Sequence, residues 1–277
     1  SVRLKPRMKD ERDQLVHAFN EIVPKIEEHM HMSNALGLAQ EVQQSLLPQS
    51  DPSFPGFDIA GTSIYCDETG GDYYDFIETH RGGQPGLAVV VGDVSGHGVS
   101  SALLMATARA LIMLRSSMPG EAAGIINDVN QYLSLDTAQT GNFMTFFYCE
   151  LTQHEPEVRW VRAGHEPALI YDPSTDVFDE LKGHGPALGL DNTFEYDSFR
   201  RRLETGQVIM IGTDGIWEMH NKAGAMFGKK GLREIIRNNH TASARQIVDT
   251  VTDALEHFRG DEAPEDDITL VVIKVGR

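Results

Sequence analysis

The 277-residue chain predicts an α+β fold built on mostly antiparallel sheet. Three observations lead there: strand-like segments follow one another at hairpin spacing, helix-like segments come in pairs, and no regular β-α-β alternation is present. With 40% of its residues hydrophobic, the chain can bury at least one sizeable core, and one large domain plus an appendage fits. The appendage is expected over residues 1–47 and the main domain over 48–277.

The appendage is helical in pattern. Residues 10–47 carry Leu15, Phe19, Ile22 and Ile26 at spacings of four and three, then Leu36, Ala39, Val42 and Leu46. The two stripes do not share one phase, and Pro24 removes a backbone donor, so a kink or two helices are expected rather than one straight rod, with Pro48 ending the segment. Glu27, Glu28, Glu41 and Gln43 lie off the stripe. A narrow apolar stripe on a polar helix suits either a two-stranded seam between chains or a helix laid on the main domain.

Short strands and turns begin at Phe54. "FDIAGTSIYC" and "YYDFIE" read as strands, "RGGQPG" as a turn, and "LAVVVGDV" as a strand buried on both faces. Residues 99–117 form a helix that is apolar nearly all round and must be well covered, and a second helix over about 121–135 follows the "PG" break. "FMTFFYCEL", "VRWVRA" and "PALIYD" are three strands at hairpin spacing, and "QVIMIGTDGIWE" is a further buried strand ending in a turn. Helices occupy roughly 229–238 and 243–258, and "DDITLVVIKV" closes the chain as a strand. No internal repeat or low-complexity tract is present.

A formal charge of -17 argues against nucleic acid or an anionic membrane surface as a partner, because phosphate is bound through clustered Lys and Arg. Local acidic clusters are instead candidate cation sites. The two cysteines, Cys66 and Cys149, each fall in a strand-like segment and are expected to be buried reduced thiols, not a disulfide framework or a zinc site. No run reaches the roughly 18 apolar residues of a membrane span and no signal peptide opens the chain, so a soluble, cytoplasmic protein is expected.

Aspartates recur at strand or turn boundaries in four places: Asp72 with Asp75 in "GGDYYD", Asp93 in "GDVSGHG", Asp214 in "GTDGIWE", and Asp266 with Asp267 in "EDDITL". An ionised carboxylate beside an apolar strand is costly unless it is paired or coordinated, and few cations stand near these motifs. Magnesium or manganese is the natural counter-charge, being hard ions that take carboxylate, carbonyl and water oxygens. Any single motif could be no more than a turn, since Asp and Gly populate turns on their own; the recurrence is what points to a site.

Taken in order, "GGDYYDF", "VVVGDVSGHGVSSALLMA", "RAGHEPALIY", "GTDGIWE" and "DDITLVVI" resemble the SpoIIE/RsbU-type serine phosphatases, a bacterial branch of the metal-dependent PPM (PP2C-like) phosphatases. The resemblance covers about residues 38–275. It implies an α-β-β-α sandwich of two sheets flanked by helix pairs, a centre of two divalent cations, Mn2+ or Mg2+, and hydrolysis of phosphoserine or phosphothreonine on a partner protein. Position by position, Asp72 resembles the first ligand, Asp93 the carboxylate shared by both ions with the Val94 carbonyl helping, Asp214 the aspartate of the family's "(S/T)DG" motif, and Asp266 the first aspartate of its "D(D/N)xT" motif; Asp75 and Asp267 are further candidate ligands. His97, four residues beyond Asp93, is a candidate general acid, and Gly96, Gly98 and the amides ahead of the helix near Val99 are candidates to receive a phosphate oxygen. His165 either approaches the substrate or orients a loop, and Arg162 departs from the family's usual "NAGH".

The same resemblance implies a phosphorylated STAS-type anti-sigma-factor antagonist as substrate, in a partner-switching pathway. "DERDQLVHAFNEI" resembles the closing helix of HAMP linkers, which implies the output end of a longer membrane receptor, with the leader helices pairing two chains. Covalent phosphatase routes lack their residues: neither cysteine heads a Cys-x5-Arg loop, and no Asp-x-Asp-x-Thr or G-x4-G-K-[ST] motif occurs. Two rivals remain, a two-metal nucleotide cyclase and a non-catalytic signalling module of the same fold. The first lacks a recognisable purine pocket and triphosphate cations, and the presence of all four principal aspartates argues against the second.

Overall fold

The computed structural model describes residues 11–81, 83–153 and 156–276. Asp10, at the start of the expected leader helix, and Gly82, inside the expected turn, lie outside the described residues. The chain divides into two compact units, one ending at Gln44 and the other beginning at Ser45.

The first unit is helical. Helix α1, Glu11–Leu46, runs as one 36-residue helix with Pro24 inside it, so of the two expectations the pair of separate helices is not found. A proline removes one hydrogen bond and crowds the preceding turn, a cost of roughly 3 kcal/mol that the many other bonds of a long helix absorb. The phase shift between the two apolar stripes is carried within a single helix. Leu15, Ile22, Ile26, Leu38 and Val42 all stand exposed on it.

The second unit is an α-β-β-α sandwich. One sheet contains β1 (Phe57–Ile64), β10 (Ile268–Val275), β9 (Val208–Gly212), β6 (Ala168–Asp172) and β7 (Val177–Leu181), in that spatial order. The other contains β2 (Tyr73–Arg81), β3 (Gln84–Val94), β4 (Met144–Thr152), β5 (Glu157–Ala163) and β8 (Phe199–Arg202). The ladders within both sheets are antiparallel. Helices α2 (Val99–Ser116) and α3 (Ala122–Thr137) cover the second sheet, and α4 (Gly228–Asn239) and α5 (Ala244–Arg259) cover the first.

Side-chain alternation explains why the central strands read as continuous apolar runs. Val89 and Val91 of β3, Ile209 and Ile211 of β9, and Val271 and Ile273 of β10 meet between the sheets. Their neighbours Ala88 and Val90 face α2 and α3, while Val208, Met210, Leu270 and Val272 face α4 and α5. Both faces of each sheet are therefore buried, and odd-numbered positions on these three strands point between the sheets.

Several expectations need correction. β4, β5 and β6 are not one meander: β6 crosses to the other sheet, where it pairs with β7 and β9. The short edge strands β7 and β8 were not anticipated; exposed side chains and the three arginines of "FRRR" hide the strand signal, as is usual for edges that must not recruit other chains. Cys149 is buried in β4, whereas Cys66 lies beyond β1 and is only half-buried. Helix α2 is long and apolar enough to cross a membrane by length and composition, contrary to the sequence reading, yet Leu104, Met105, Ala108 and Ile112 pack it onto the sheet.

Candidate metal centre

Alternation carries an acidic group to one end of the sandwich. Asp93 continues the odd-numbered, inward-facing series of β3, opposite Thr145 on β4. On β2 the even positions Tyr74 and Phe76 face inward, so Asp72, just before the strand, shares that direction, while Tyr73, Asp75 and Ile77 face the helices. From the other sheet, Thr213 and Asp214 extend past β9, and Asp266 and Asp267 precede β10.

Hydrogen bonds join these ends. Thr213 Oγ1 donates to Asp72 Oδ2 at 2.8 Å and accepts from the Thr269 amide at 3.0 Å. The Asp267 carboxylate accepts from the amides of Cys66 and Gly71, both at 2.8 Å, and from that of Asp72 at 3.4 Å. The turn leading into β2 is thereby clamped to the start of β10. Two glycines are required by close approach: a Cβ on Gly215 would meet the Asp267 carbonyl oxygen at 2.1 Å, and one on Gly71 would meet the Val94 carbonyl oxygen at 2.8 Å.

The electrostatics are those of like charges held together. Burial, then repulsion from Asp214, Asp266 and Asp267, raises the Asp93 carboxyl to about 7. Burial pushes Asp72 well above the ordinary carboxylate range, with Asp93 and Asp267 adding and the Thr213 hydroxyl offsetting. Asp214 is raised by burial and by Asp266. Asp266 is raised chiefly by burial, with repulsion from Asp267 and Glu218 added, against the Asp267 amide and His97. Asp72, Asp93, Asp214, Asp266 and Asp267 thus form one interacting group. Among the described residues no three His, Cys, Asp or Glu side chains close into a ready-made metal cage. The donors nonetheless fit a hard divalent ion: all are oxygens, they run from buried Asp72 through half-buried Asp93 and Asp214 to Asp266 at the exposed rim, and the foremost charged influences on Asp93 are themselves carboxylates.

The remaining candidates separate from this group or sit at its margin. Asp75 lies on the helix-facing side, where its carboxylate accepts from Tyr73 Oη at 3.0 Å and the Phe76 amide at 2.8 Å and pairs with Arg109 Nε of α2 at 3.3 Å. It lies three positions beyond Asp72, an odd step that reverses the side of the sheet. His165 is buried, its Nδ1 within 2.8 Å of Thr145 Oγ1, and burial lowers its imidazole to about 4. It thus contacts the residue that stands opposite Asp93 on β4. Arg162 donates from Nε to the His165 carbonyl and from Nη1 to the Gly183 carbonyl at 2.7 Å, stapling two loops. Gly96 and Gly98 adopt φ of +84° and +78° around His97, and Gly98 stands at the N-cap of α2, which has no side-chain cap hydrogen bond. Sequence reasoning took the aspartates of "(S/T)DG" and "D(D/N)xT" and passed over their threonines, Thr213 and Thr269, which stand at the odd positions that face the site.

Two layered sheets with desolvated carboxylates at their adjoining ends define a PP2C-like phosphatase domain. The family model described as Stage II sporulation protein E (SpoIIE) matches residues 83–276, and the chain belongs to that family. Phosphoserine phosphatase RsbU of Bacillus subtilis (strain 168) is 25% identical over 243 residues, covering 88% of this chain and 70% of RsbU. Two further curated relatives extend well beyond the match, the chain spanning 40% and 50% of their lengths. Among solved structures, the SiaA PP2C domain of Pseudomonas aeruginosa superposes with a TM-score of 0.75 at 22% identity, over 89% of this chain and 98% of that one. RsbX in complex with magnesium gives a TM-score of 0.59 at 14% identity, over 82% of this chain and 99% of RsbX.

Proposed function

We propose that the chain hydrolyses phosphoserine on a partner protein, using two divalent cations, Mn2+ or Mg2+, held by Asp72, Asp93, Asp214, Asp266 and the Val94 carbonyl. The observation that carries this is the mutual repulsion of carboxylates drawn from both sheets, with Asp72 buried and Asp93 raised to about 7. Such a group is costly as it stands and becomes favourable once positive charge enters it. When bound, the two ions supply a more acidic water as nucleophile and positive charge against the phosphoryl oxygens. Asp267 serves as the clamp on the Cys66–Asp72 turn rather than as a ligand, and Asp75 is a structural partner of Arg109.

The chain's own residues supply the rest. His97 stands in the loop after Asp93 and gives a proton to the serine oxygen as it leaves. The uncapped amides opening α2, preceded by Gly96 and Gly98, receive a phosphoryl oxygen. His165, neutral and buried, holds Thr145 beside Asp93 and does not touch substrate.

Similarity to a phosphoserine phosphatase, RsbU, supports a regulatory protein as substrate, and the substrate class we propose is a phosphorylated STAS-domain anti-sigma-factor antagonist in partner switching. The exposed apolar stripe of α1 supports pairing of two chains. On that reading Ile22→Glu with Ile26→Glu yields a monomer by sedimentation; an unchanged dimer, or a monomeric parent, contradicts it. A cytoplasmic location, at the output end of a longer receptor, completes the proposal.

The test is phosphate release from a phosphoserine protein with and without Mn2+. Asp93→Asn and Asp214→Asn lose nearly all activity while keeping parental circular dichroism. Release that needs no metal, or survives both substitutions, contradicts the proposal; cyclic nucleotide formation from a nucleoside triphosphate favours the cyclase instead.

A further inference from the structure

We propose that Asp67, which belongs to none of the motifs above, is a positioning residue that orients His97 toward the leaving serine oxygen. The inference rests on the phosphatase reading and goes beyond it. His97 Nδ1 lies 3.2 Å from Asp67 Oδ2. The histidine side chain is 85% exposed, and the glycines on either side of it, both in left-handed backbone, have no atom within 4 Å of where a Cβ would be. Packing therefore does not fix the ring. Among the described residues, Asp67 supplies its one hydrogen-bond or ion-pair contact.

The other end of this contact is anchored. Asp67 follows Cys66, and the amides of Cys66 and Gly71 are both held at 2.8 Å by the two oxygens of Asp267. A clamped turn thus hands its rigidity to a free loop through a single carboxylate. In the imidazolium form, with Nδ1–H directed at Asp67, the proton left to give is the one on Nε2. As the bond from water oxygen to phosphorus forms and the bond from phosphorus to serine Oγ breaks, the Nε2 proton passes to Oγ. Serine leaves as the neutral alcohol, and the imidazole recovers its proton from solvent.

An exposed ion pair contributes little, so the expected effect is modest but selective. Full-chain parent, Asp67→Asn, His97→Asn and the double variant are assayed in Mn2+ on a phosphoserine peptide and on p-nitrophenyl phosphate, whose leaving group departs without a proton. Asp67→Asn lowers phosphoserine turnover about fivefold and leaves p-nitrophenyl phosphate turnover within about twofold. His97→Asn shows the same selectivity more strongly, and the double variant is no worse than His97→Asn alone. In the metal-free protein, 15N NMR of the neutral ring, the form left once Nε2 has given up its proton, finds the remaining hydrogen of His97 on Nδ1 in the parent and shifted toward Nε2 in Asp67→Asn. Equal loss on both substrates, no loss, or additive effects in the double variant overturn the role of Asp67. A His97→Asn variant without leaving-group selectivity overturns the acid assignment itself, and the proposal with it.

Discussion

The Thr213 hydroxyl donates to Asp72 Oδ2 at 2.8 Å, tying the end of β9 in one sheet to the turn that opens β2 in the other. The same oxygen accepts from the Thr269 amide, so one side chain aims a candidate ligand and satisfies a buried donor. Thr213→Val keeps the shape and removes both bonds. Loss of such supporting contacts typically costs 10- to 100-fold in metal affinity or activity, and an orphaned amide costs about 1–3 kcal/mol. We expect Mn2+ affinity to fall at least tenfold and Thr213→Ser to restore most of it, both measured by calorimetric titration; an unchanged affinity in Thr213→Val contradicts the role.

Much of this was legible because strand periodicity is simple. The apolar runs around Val89–Val91 and Val208–Ile211 announce strands buried on both faces, and each leads to an aspartate, Asp93 near the end of β3 and Asp214 just past β9. Asp75 was grouped with Asp72 on proximity in sequence, whereas the odd step between them turns it to the helix side, beside Arg109. Asp267 was grouped with Asp266, although its carboxylate is occupied by backbone amides more than 190 residues away in sequence, contacts that no local pattern reveals. β8 was missed because its fold-forming information lies in its partner β5, not in "FRRR".

Asp75 and Arg109 test the distinction between a ligand and a structural pair. Their contact is largely buried, with Arg109 about a quarter exposed, so Asp75→Asn leaves a guanidinium poorly paired beside the core. The loss should be on the order of 2 kcal/mol in denaturant unfolding, below the ~3–5 of a fully buried pair. Mn2+ affinity of the folded protein should stay within about threefold. A large loss of metal binding without loss of stability would return Asp75 to the metal site.

His165 gives a dependence on pH that needs no metal. Burial holds its imidazole at about 4 against an ordinary value of 6.5, so between these values the unfolded chain binds the extra proton. Its contribution is fully present above about 6.5 and is lost as pH falls toward 4, about 3 kcal/mol at most. Unfolding free energy of the metal-free parent should therefore fall more steeply over this window than that of His165→Asn. Parallel curves would mean that the ring is charged or solvated in the folded state.

The central claim is that carboxylates from both sheets are gathered to bind divalent cations, and counting bound Mn2+ tests it most directly. Equilibrium dialysis of the parent chain should find two ions per chain, with Asp93→Asn, the residue placed between the other aspartates, losing at least one and weakening the other. No Mn2+ bound, or the same stoichiometry and affinity in Asp93→Asn and Asp214→Asn as in the parent, would contradict the account.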